Sequence, residues 1–117
     1  WKGTLIEFMG RETLANPLLA KLVRQYECPV YPARCIRLPE GRFRLSIEPP
    51  LEIPRDTSGN VDQEQLTRNV NACVERWVRE YPEQWLWLHK RWRPQFMANW
   101  YQLQEQKMAA KKRKASR

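Results

Sequence analysis

Residues 80–94, EYPEQWLWLHKRWRP, contain the chain's single histidine, three of its six tryptophans and three basic side chains. A histidine can act as a general base, and arginine and lysine can bind phosphate or carboxylate groups. The tryptophans allow three interpretations: packing in the core, stacking on nucleic-acid bases, or contact with a membrane interface. Which chemistry this segment performs therefore depends on which of its rings are buried.

His89 lacks the neighbours that a catalytic histidine needs. No serine, cysteine or acid stands one helical turn away to form a nucleophilic pair. The adjacent Lys90 and Arg91 would lower its proton affinity if they lie close to the ring. The sequence therefore favours His89 as a structural or substrate-proximal hydrogen-bonding residue rather than as a base.

The net charge of +8 is unevenly distributed over the 117 residues. No acid follows Glu105, and the tail from Lys107 to Arg117 carries six of the 21 basic residues, so the other 15 nearly balance the 13 acidic residues. We therefore predict a nearly neutral folded part over residues 1–103 and a basic, disordered tail over residues 104–117. The balance argues against nucleic acid as a partner, although a small basic nucleic-acid- or protein-binding module is the alternative function.

Metal and redox chemistry find little support in the composition. Cys28, Cys35 and Cys73 form no CxxC pair, and the chain has one histidine. We expect buried free thiols in a reducing compartment, with no metal site and no cofactor. No run of 18 apolar residues is present, so no segment has the sequence of a bilayer-spanning helix.

The elements that must position these residues begin with a strand and a helix. The stretch WKGTLIEFMG predicts a short apolar strand that ends at Gly10. Asn16 can cap a helix whose first position is Pro17. Its apolar side chains recur at helical spacing and predict one buried face, made of Leu18, Leu19, Leu22, Val23 and Tyr26.

Two further strands, 29–38 and 42–48, are predicted to form an antiparallel hairpin around Pro39-Glu40-Gly41. In the second strand three apolar side chains alternate with polar ones, which predicts one buried and one solvated face. The apolar residues are Phe43, Leu45 and Ile47.

Two helices are predicted to follow. Asp62 can cap the first, with Gln65 completing a pair that resembles a capping box. An apolar stripe then continues past Pro82 and predicts a second helix that includes Trp85 and Trp92. Spacing favours core positions for Trp77, Trp85 and Trp92. Trp87 points to the opposite side of such a helix and suits either a membrane interface or a stacked arginine.

The run PEQWLWLHKRW, residues 82–92, closely resembles the C-terminal signature of the lipid A biosynthesis acyltransferases, the lauroyl and myristoyl transferases. The upstream run over residues 7–54 is similar to the same family. It has a strand like FFG, a helix with a Leu-Ala pair, a strand of pattern x-P-V-x-P and a hairpin with an acidic-Gly turn. The resemblance covers residues 4–94.

This resemblance implies an α/β chain, the C-terminal part of a glycerol-phosphate-acyltransferase-like fold (strand, helix, β-hairpin, then two helices), incomplete here. It implies transfer of a fatty acyl group from acyl carrier protein to a lipid A precursor in lipopolysaccharide biosynthesis, at the cytoplasmic face of the inner membrane. The family's His-x4-Asp/Glu catalytic motif is absent, because Pro94 stands five positions after His89. We therefore expect a fragment with no catalytic residue of its own, inactive alone and poorly soluble or self-associating.

Lipid A precursors carry phosphates and acyl carrier protein is acidic, so basic residues in the matching segments are the candidates for substrate binding. These candidates are Arg34, Arg37, His89, Lys90 and Arg91. A salt bridge that closes the last helix onto the body is the alternative role for Arg91. Trp87 is the candidate for contact with the membrane surface, and the basic tail suits attraction to anionic lipid.

Overall fold

The computed structural model describes residues 3–115, which form two small antiparallel sheets and three α-helices in a mixed α/β arrangement. Trp1–Lys2, where the predicted first strand begins, and Ser116–Arg117, where the predicted tail ends, lie outside the described residues. The elements in chain order are β1 (Thr4–Phe8), β2 (Arg11–Ala15), α1 (Leu18–Tyr26), β3 (Ala33–Arg37), β4 (Phe43–Ile47), α2 (Gln63–Glu80) and α3 (Pro94–Ala115). The predicted order is observed, with β2 in addition. The acyltransferase-like fold itself stays a prediction.

The first hairpin turns at Met9 and Gly10, both of which have left-handed backbone angles, with φ of 54° and 74°. A two-residue hairpin turn with positive φ at both positions matches the twist of the flanking strands. Met9 is held in this unusual conformation because its amide donates to Oε2 of Glu75 on α2, at 3.0 Å. The strand predicted to end at Gly10 therefore continues as a hairpin, and β2 is an element that the sequence pattern does not predict.

Helix α2 carries both hydrophobic clusters of the described chain. At its C-terminal end Val78 packs with Ile6, Phe8 and Ala15 from the first hairpin. At its N-terminal end Leu66 packs with three residues from α1 and the loop before α2, which are Ala20, Val23 and Val61. The helix therefore connects α1 to the first hairpin.

The predicted cap of α2 is confirmed, because Oδ1 of Asp62 accepts a hydrogen bond from the Gln65 amide at 3.0 Å. The reciprocal half of the capping box is not formed. The Gln65 side chain instead donates to Oδ1 of Asn69 at 2.8 Å, one turn along the helix. Each such side-chain cap is typically worth about 1 kcal/mol.

Helix α1 begins one residue later than predicted, with Pro17 rather than Asn16 at the N-cap position and no side-chain cap bond, although Oδ1 of Asn16 accepts a 3.0 Å hydrogen bond from the Leu18 amide. Its predicted apolar face is only partly buried, and here the expectation was wrong. Val23 is buried together with Ala20, whereas Leu18, Leu19, Leu22 and Tyr26 are exposed. The helix meets α2 along a narrower stripe than its composition indicates.

The second hairpin has the predicted antiparallel pairing, with Cys35 opposite Leu45. Its orientation is the reverse of the prediction, because the apolar side chains of Phe43, Leu45 and Ile47 are 62%, 69% and 67% exposed. On the opposite face Ile36 is buried and Arg44 is exposed, and the hairpin is held to α2 by Glu48, which accepts hydrogen bonds from Arg76 and Trp77. Alternation predicts that two faces differ, but it does not determine which one packs.

The predicted helix through Trp85 and Trp92 is not formed. A 3₁₀ turn at Pro82–Gln84 leads into an irregular segment, residues 85–93, and α3 begins at Pro94. Proline has no N–H to donate and its fixed φ suits the first helical position, so a helix starts there more readily than it continues through it.

Helix α3 runs to Ala115, so residues 104–115 are helical where the sequence predicts disorder. Glutamine, glutamate, lysine, arginine, methionine and alanine make up this stretch, and all favour helix. Tyr101 attaches the helix to β2 by donating to Oε2 of Glu12 at 2.5 Å. No helix among residues 3–115 is long and apolar enough to cross a membrane. The division of the chain at residue 103 stays a prediction.

The three cysteines are free thiols. Cys73 is buried as predicted, and burial raises the pKa of its thiol. Cys28 and Cys35 are exposed, contrary to the prediction. The reason for Cys35 is the orientation of the second hairpin, because Cys35 shares the outward face with Leu45.

Candidate substrate-binding site

A cavity of about 360 Å³ opens between β2, the segment 85–93 and the first turn of α3. It brings together three of the five predicted substrate-binding residues. Its lining consists of Thr13, Leu14, Asn16, His89, Lys90, Arg91, Arg93, Phe96 and Met97. We call this cavity the basic pocket, because no acidic side chain of residues 3–115 lines it.

Arg91 is the most constrained cation of the basic pocket. Its Nη2 donates to Oδ1 of Asn71 on α2, and its guanidinium carbon lies 4.7 Å from the centroid of the Phe8 ring. No carboxylate within residues 3–115 forms an ion pair with it, so the alternative salt-bridge role is not observed. Burial lowers the pKa of this guanidinium, but an arginine remains charged at neutral pH.

The backbone around Arg91 is fixed by hydrogen bonds from two directions. Thr13, a buried residue of β2, donates from Oγ1 to the Arg91 carbonyl at 2.7 Å. Nε of Arg93 donates to the Lys90 carbonyl at 3.0 Å. An irregular segment therefore presents its cations in defined positions although it belongs to no helix or strand.

Thr13 and Asn71 were missed by the sequence analysis. Thr13 belongs to a strand that was not predicted, and it is 78 positions from its partner. For Asn71 the sequence does contain an indication. It stands three and seven positions before Val74 and Val78, and so shares the helix face that packs on the first hairpin. A polar side chain on a packing face requires a hydrogen-bond partner.

The electrostatics of the basic pocket favour an anionic ligand. Lys90, Arg91 and Arg93 supply three positive charges, and the N-terminal end of α3 adds the partial positive charge of the helix dipole. His89 is exposed at the rim and can donate or accept a hydrogen bond. Phosphate and carboxylate groups fit this set of donors.

Arg34 and Arg37 lie outside the basic pocket, and the structure engages both in other contacts. Nη1 of Arg34 donates to Oε2 of Glu80 at 2.6 Å, and its guanidinium carbon lies 5.7 and 5.6 Å from the ring centroids of Trp77 and Tyr81. The Arg37 guanidinium lies 5.9 Å from a phenylalanine ring on β4. A role for either residue in substrate binding stays a prediction.

Trp87 faces solvent as predicted, with 53% of its surface exposed, although segment 85–93 is not helical. Its indole N–H donates to the Pro82 carbonyl at 2.6 Å. Trp85 and Trp92 are partly buried, and their rings lie 6.1 and 6.0 Å from that of Phe8. The core interpretation therefore holds in part for these two, and the membrane contact of Trp87 stays a prediction.

A protein-family model for bacterial lipid A biosynthesis acyltransferases matches residues 2–94 of the chain. The chain belongs to this family. Neither the search of curated proteins nor that of solved structures found a match. Within this member of the family, the matched region includes His89, Lys90 and Arg91 of the basic pocket, and it ends at the first residue of α3.

Proposed function

We propose that this chain forms the acceptor-binding part of an acyltransferase that moves a fatty acyl group from acyl carrier protein to a hydroxyl of a lipid A precursor. The observation that carries the proposal is the basic pocket, which gathers His89, Lys90 and Arg91 within the region that matches the family. In this proposal the pocket binds an anionic group of the acceptor at the cytoplasmic face of the inner membrane.

Each residue of the basic pocket has a distinct role in the proposal. Arg91 presents a planar guanidinium that is already oriented by Asn71 and Phe8, so little side-chain entropy is lost when it binds a phosphate. Lys90 adds a point charge from an exposed position. His89 hydrogen-bonds the phosphate or a neighbouring sugar hydroxyl from the rim.

The proposal assigns binding but no proton transfer to this chain. Acylation of a hydroxyl needs a general base, and the family supplies one in a His-x4-Asp/Glu motif. The one histidine of this sequence is followed at the fifth position by Pro94, so the motif is not present. We expect no acyl product when the chain alone is mixed with acyl carrier protein and a lipid A precursor.

The test is the affinity of the full chain for a lipid A precursor with and without its phosphates. A charge-assisted hydrogen bond contributes about 1.5–3 kcal/mol. Lys90→Gln and Arg91→Gln should therefore each weaken binding of the phosphorylated precursor by roughly ten- to a hundredfold. The affinity of the unmodified chain should fall by a similar factor when the phosphates are removed from the precursor.

Arg44→Gln is the matched control, because Arg44 is an exposed arginine on β4 outside the basic pocket. It should leave the affinity unchanged. The Lys90→Gln variant keeps the test valid if Arg91→Gln fails to fold, because the Lys90 side chain is exposed and its replacement should leave the fold intact. Equal affinity for the phosphorylated and dephosphorylated precursors would overturn the proposal.

A further inference from the structure

Three consecutive large apolar side chains project from the irregular segment that leads into the basic pocket. Leu86, Trp87 and Leu88 are 67%, 53% and 91% exposed. Single exposed apolar residues are ordinary on a protein surface, but a contiguous group marks a contact site. We call these three residues the apolar loop.

The apolar loop is fixed by hydrogen bonds. The Trp87 amide donates to the Trp85 carbonyl at 2.9 Å, and the His89 amide donates to the Leu86 carbonyl at 3.1 Å. The indole N–H donates to the Pro82 carbonyl. The loop therefore presents its side chains at little additional conformational cost when it binds.

The chemistry of the loop favours lipid as its partner. Because the indole N–H is already satisfied within the chain, the ring can enter an apolar phase without leaving a donor unpaired. Leucine side chains have no flat face on which a nucleic-acid base could stack, and two of the three loop residues are leucines. Lys90 follows two positions later and complements anionic headgroups.

We propose that Leu86, Trp87 and Leu88 insert into the interfacial region of an anionic lipid membrane, so that the basic pocket lies at the headgroup level. The placement of the pocket relative to a membrane-embedded acceptor rests on the proposed function. The insertion itself does not, because it depends on the exposed side chains and on Lys90 alone.

Sedimentation of the full chain with lipid vesicles tests the insertion. The vesicles contain phosphatidylcholine with or without phosphatidylglycerol. Leu86→Gln combined with Leu88→Gln should weaken partitioning to the anionic vesicles roughly tenfold, because binding scales with the apolar area that enters the interface. Both side chains are exposed, so the double variant should keep the circular dichroism spectrum and unfolding midpoint of the unmodified chain.

The matched control is Leu45→Gln combined with Ile47→Gln on β4, where two exposed apolar side chains lie on another surface. It should leave partitioning unchanged when all variants are compared below the concentration at which the chain self-associates. As an independent readout, lipids brominated on their acyl chains should quench tryptophan fluorescence, and Trp87→Phe should remove the larger part of this quenching. The other five tryptophans serve as the internal background.

Partitioning that the loop variant leaves intact would overturn the proposal, as would a loss seen only in the β4 variant. Loss of self-association in the loop variant, with vesicle binding unchanged, would assign the loop to a protein partner instead. If the Lys90→Gln variant keeps its affinity for the phosphorylated lipid A precursor while the loop variant still loses vesicle binding, the proposed function fails and the insertion stands.

Discussion

The guanidinium carbon of Arg91 lies 4.7 Å from the centroid of the Phe8 ring, which places a cation of the basic pocket directly against the hydrophobic cluster of the first hairpin. Phe8 is 1% exposed and also contacts Trp85 and Trp92. The basic pocket and the hydrophobic core therefore meet at this contact. A change to Arg91 affects the stability of the chain as well as the charge of the basic pocket.

Arg91→Lys is expected to destabilise the chain by about 1 kcal/mol. Lysine lacks the planar guanidinium that lies over the Phe8 ring, and its ammonium cannot keep the same hydrogen bond to Asn71. Urea unfolding followed by circular dichroism measures this difference. Arg44→Lys on β4 is the control and should change stability by less than about 0.5 kcal/mol. Equal stability of the two variants would show that the stack contributes nothing.

Glu48 should make stability depend on pH in the acid range. Hydrogen bonds from Arg76 and from the Trp77 indole lower the pKa of its carboxyl from 4.5 to about 2. A lowered pKa in the folded state stabilises the chain above pH 4.5, and the contribution is lost as the pH falls from about 4.5 to about 2.

Glu48→Gln should therefore be less stable than the unmodified chain at pH 6, and the difference should shrink steadily toward pH 2. Thermal unfolding at a series of pH values gives this difference directly. Glu52→Gln removes an exposed carboxylate from the loop before α2 and is the comparison. A stability difference for Glu48→Gln that is constant between pH 2 and 6 would contradict the assignment.

The outward face of the second hairpin should cause self-association. Phe43, Leu45 and Ile47 form an exposed apolar row on β4, which also has an unpaired edge within the described chain. Leu45→Gln with Ile47→Thr should shift the chain toward monomer by roughly tenfold or more in dissociation constant. Sedimentation velocity over a concentration series reads this change. Monomeric behaviour of the unmodified chain at all concentrations would refute the expectation.

Leu66 supports the cluster between α1 and α2. It is fully buried, and its replacement by alanine is expected to cost about 2–5 kcal/mol through lost burial and the remaining cavity. Leu88→Ala, at a side chain that is 91% exposed, should change stability by less than about 0.5 kcal/mol. Chemical unfolding of both variants measures this difference in stability. If Leu66→Ala loses as little stability as Leu88→Ala, the cluster around Leu66 does not unfold cooperatively with the rest of the chain.

Local signals in the sequence were sufficient for several elements. The Asp62 cap and the antiparallel hairpin around Gly41 each depend on neighbours a few positions apart, and both are observed. The elements that sequence reasoning missed depend on distant contacts. Strand β2 is stabilised by pairing with β1, and its buried Thr13 is satisfied by the Arg91 carbonyl.

The orientation of β4 shows most clearly what periodicity leaves open. The alternation of Phe43, Leu45 and Ile47 with polar residues was identified, but the apolar side was assigned to the interior. The hairpin is held to α2 with its apolar row outward because Glu48 accepts hydrogen bonds from Arg76 and Trp77, 28 and 29 positions away. Of the predicted site residues, His89, Lys90 and Arg91 share one cavity, whereas Arg34 and Arg37 lie outside it.

Every strand pairing in residues 3–115 lies within a hairpin, and both hydrophobic clusters depend on α2. A hairpin forms quickly because its two strands are close in sequence. Docking on α2 is slower because it joins segments that are far apart in the chain. Folding should therefore begin with the two hairpins, which form independently. It should finish when α2 packs against the first hairpin and α1. In hydrogen exchange, amides of β1, β2 and α2 should exchange together as one cooperative unit, and the distal turns of α3 should exchange much faster.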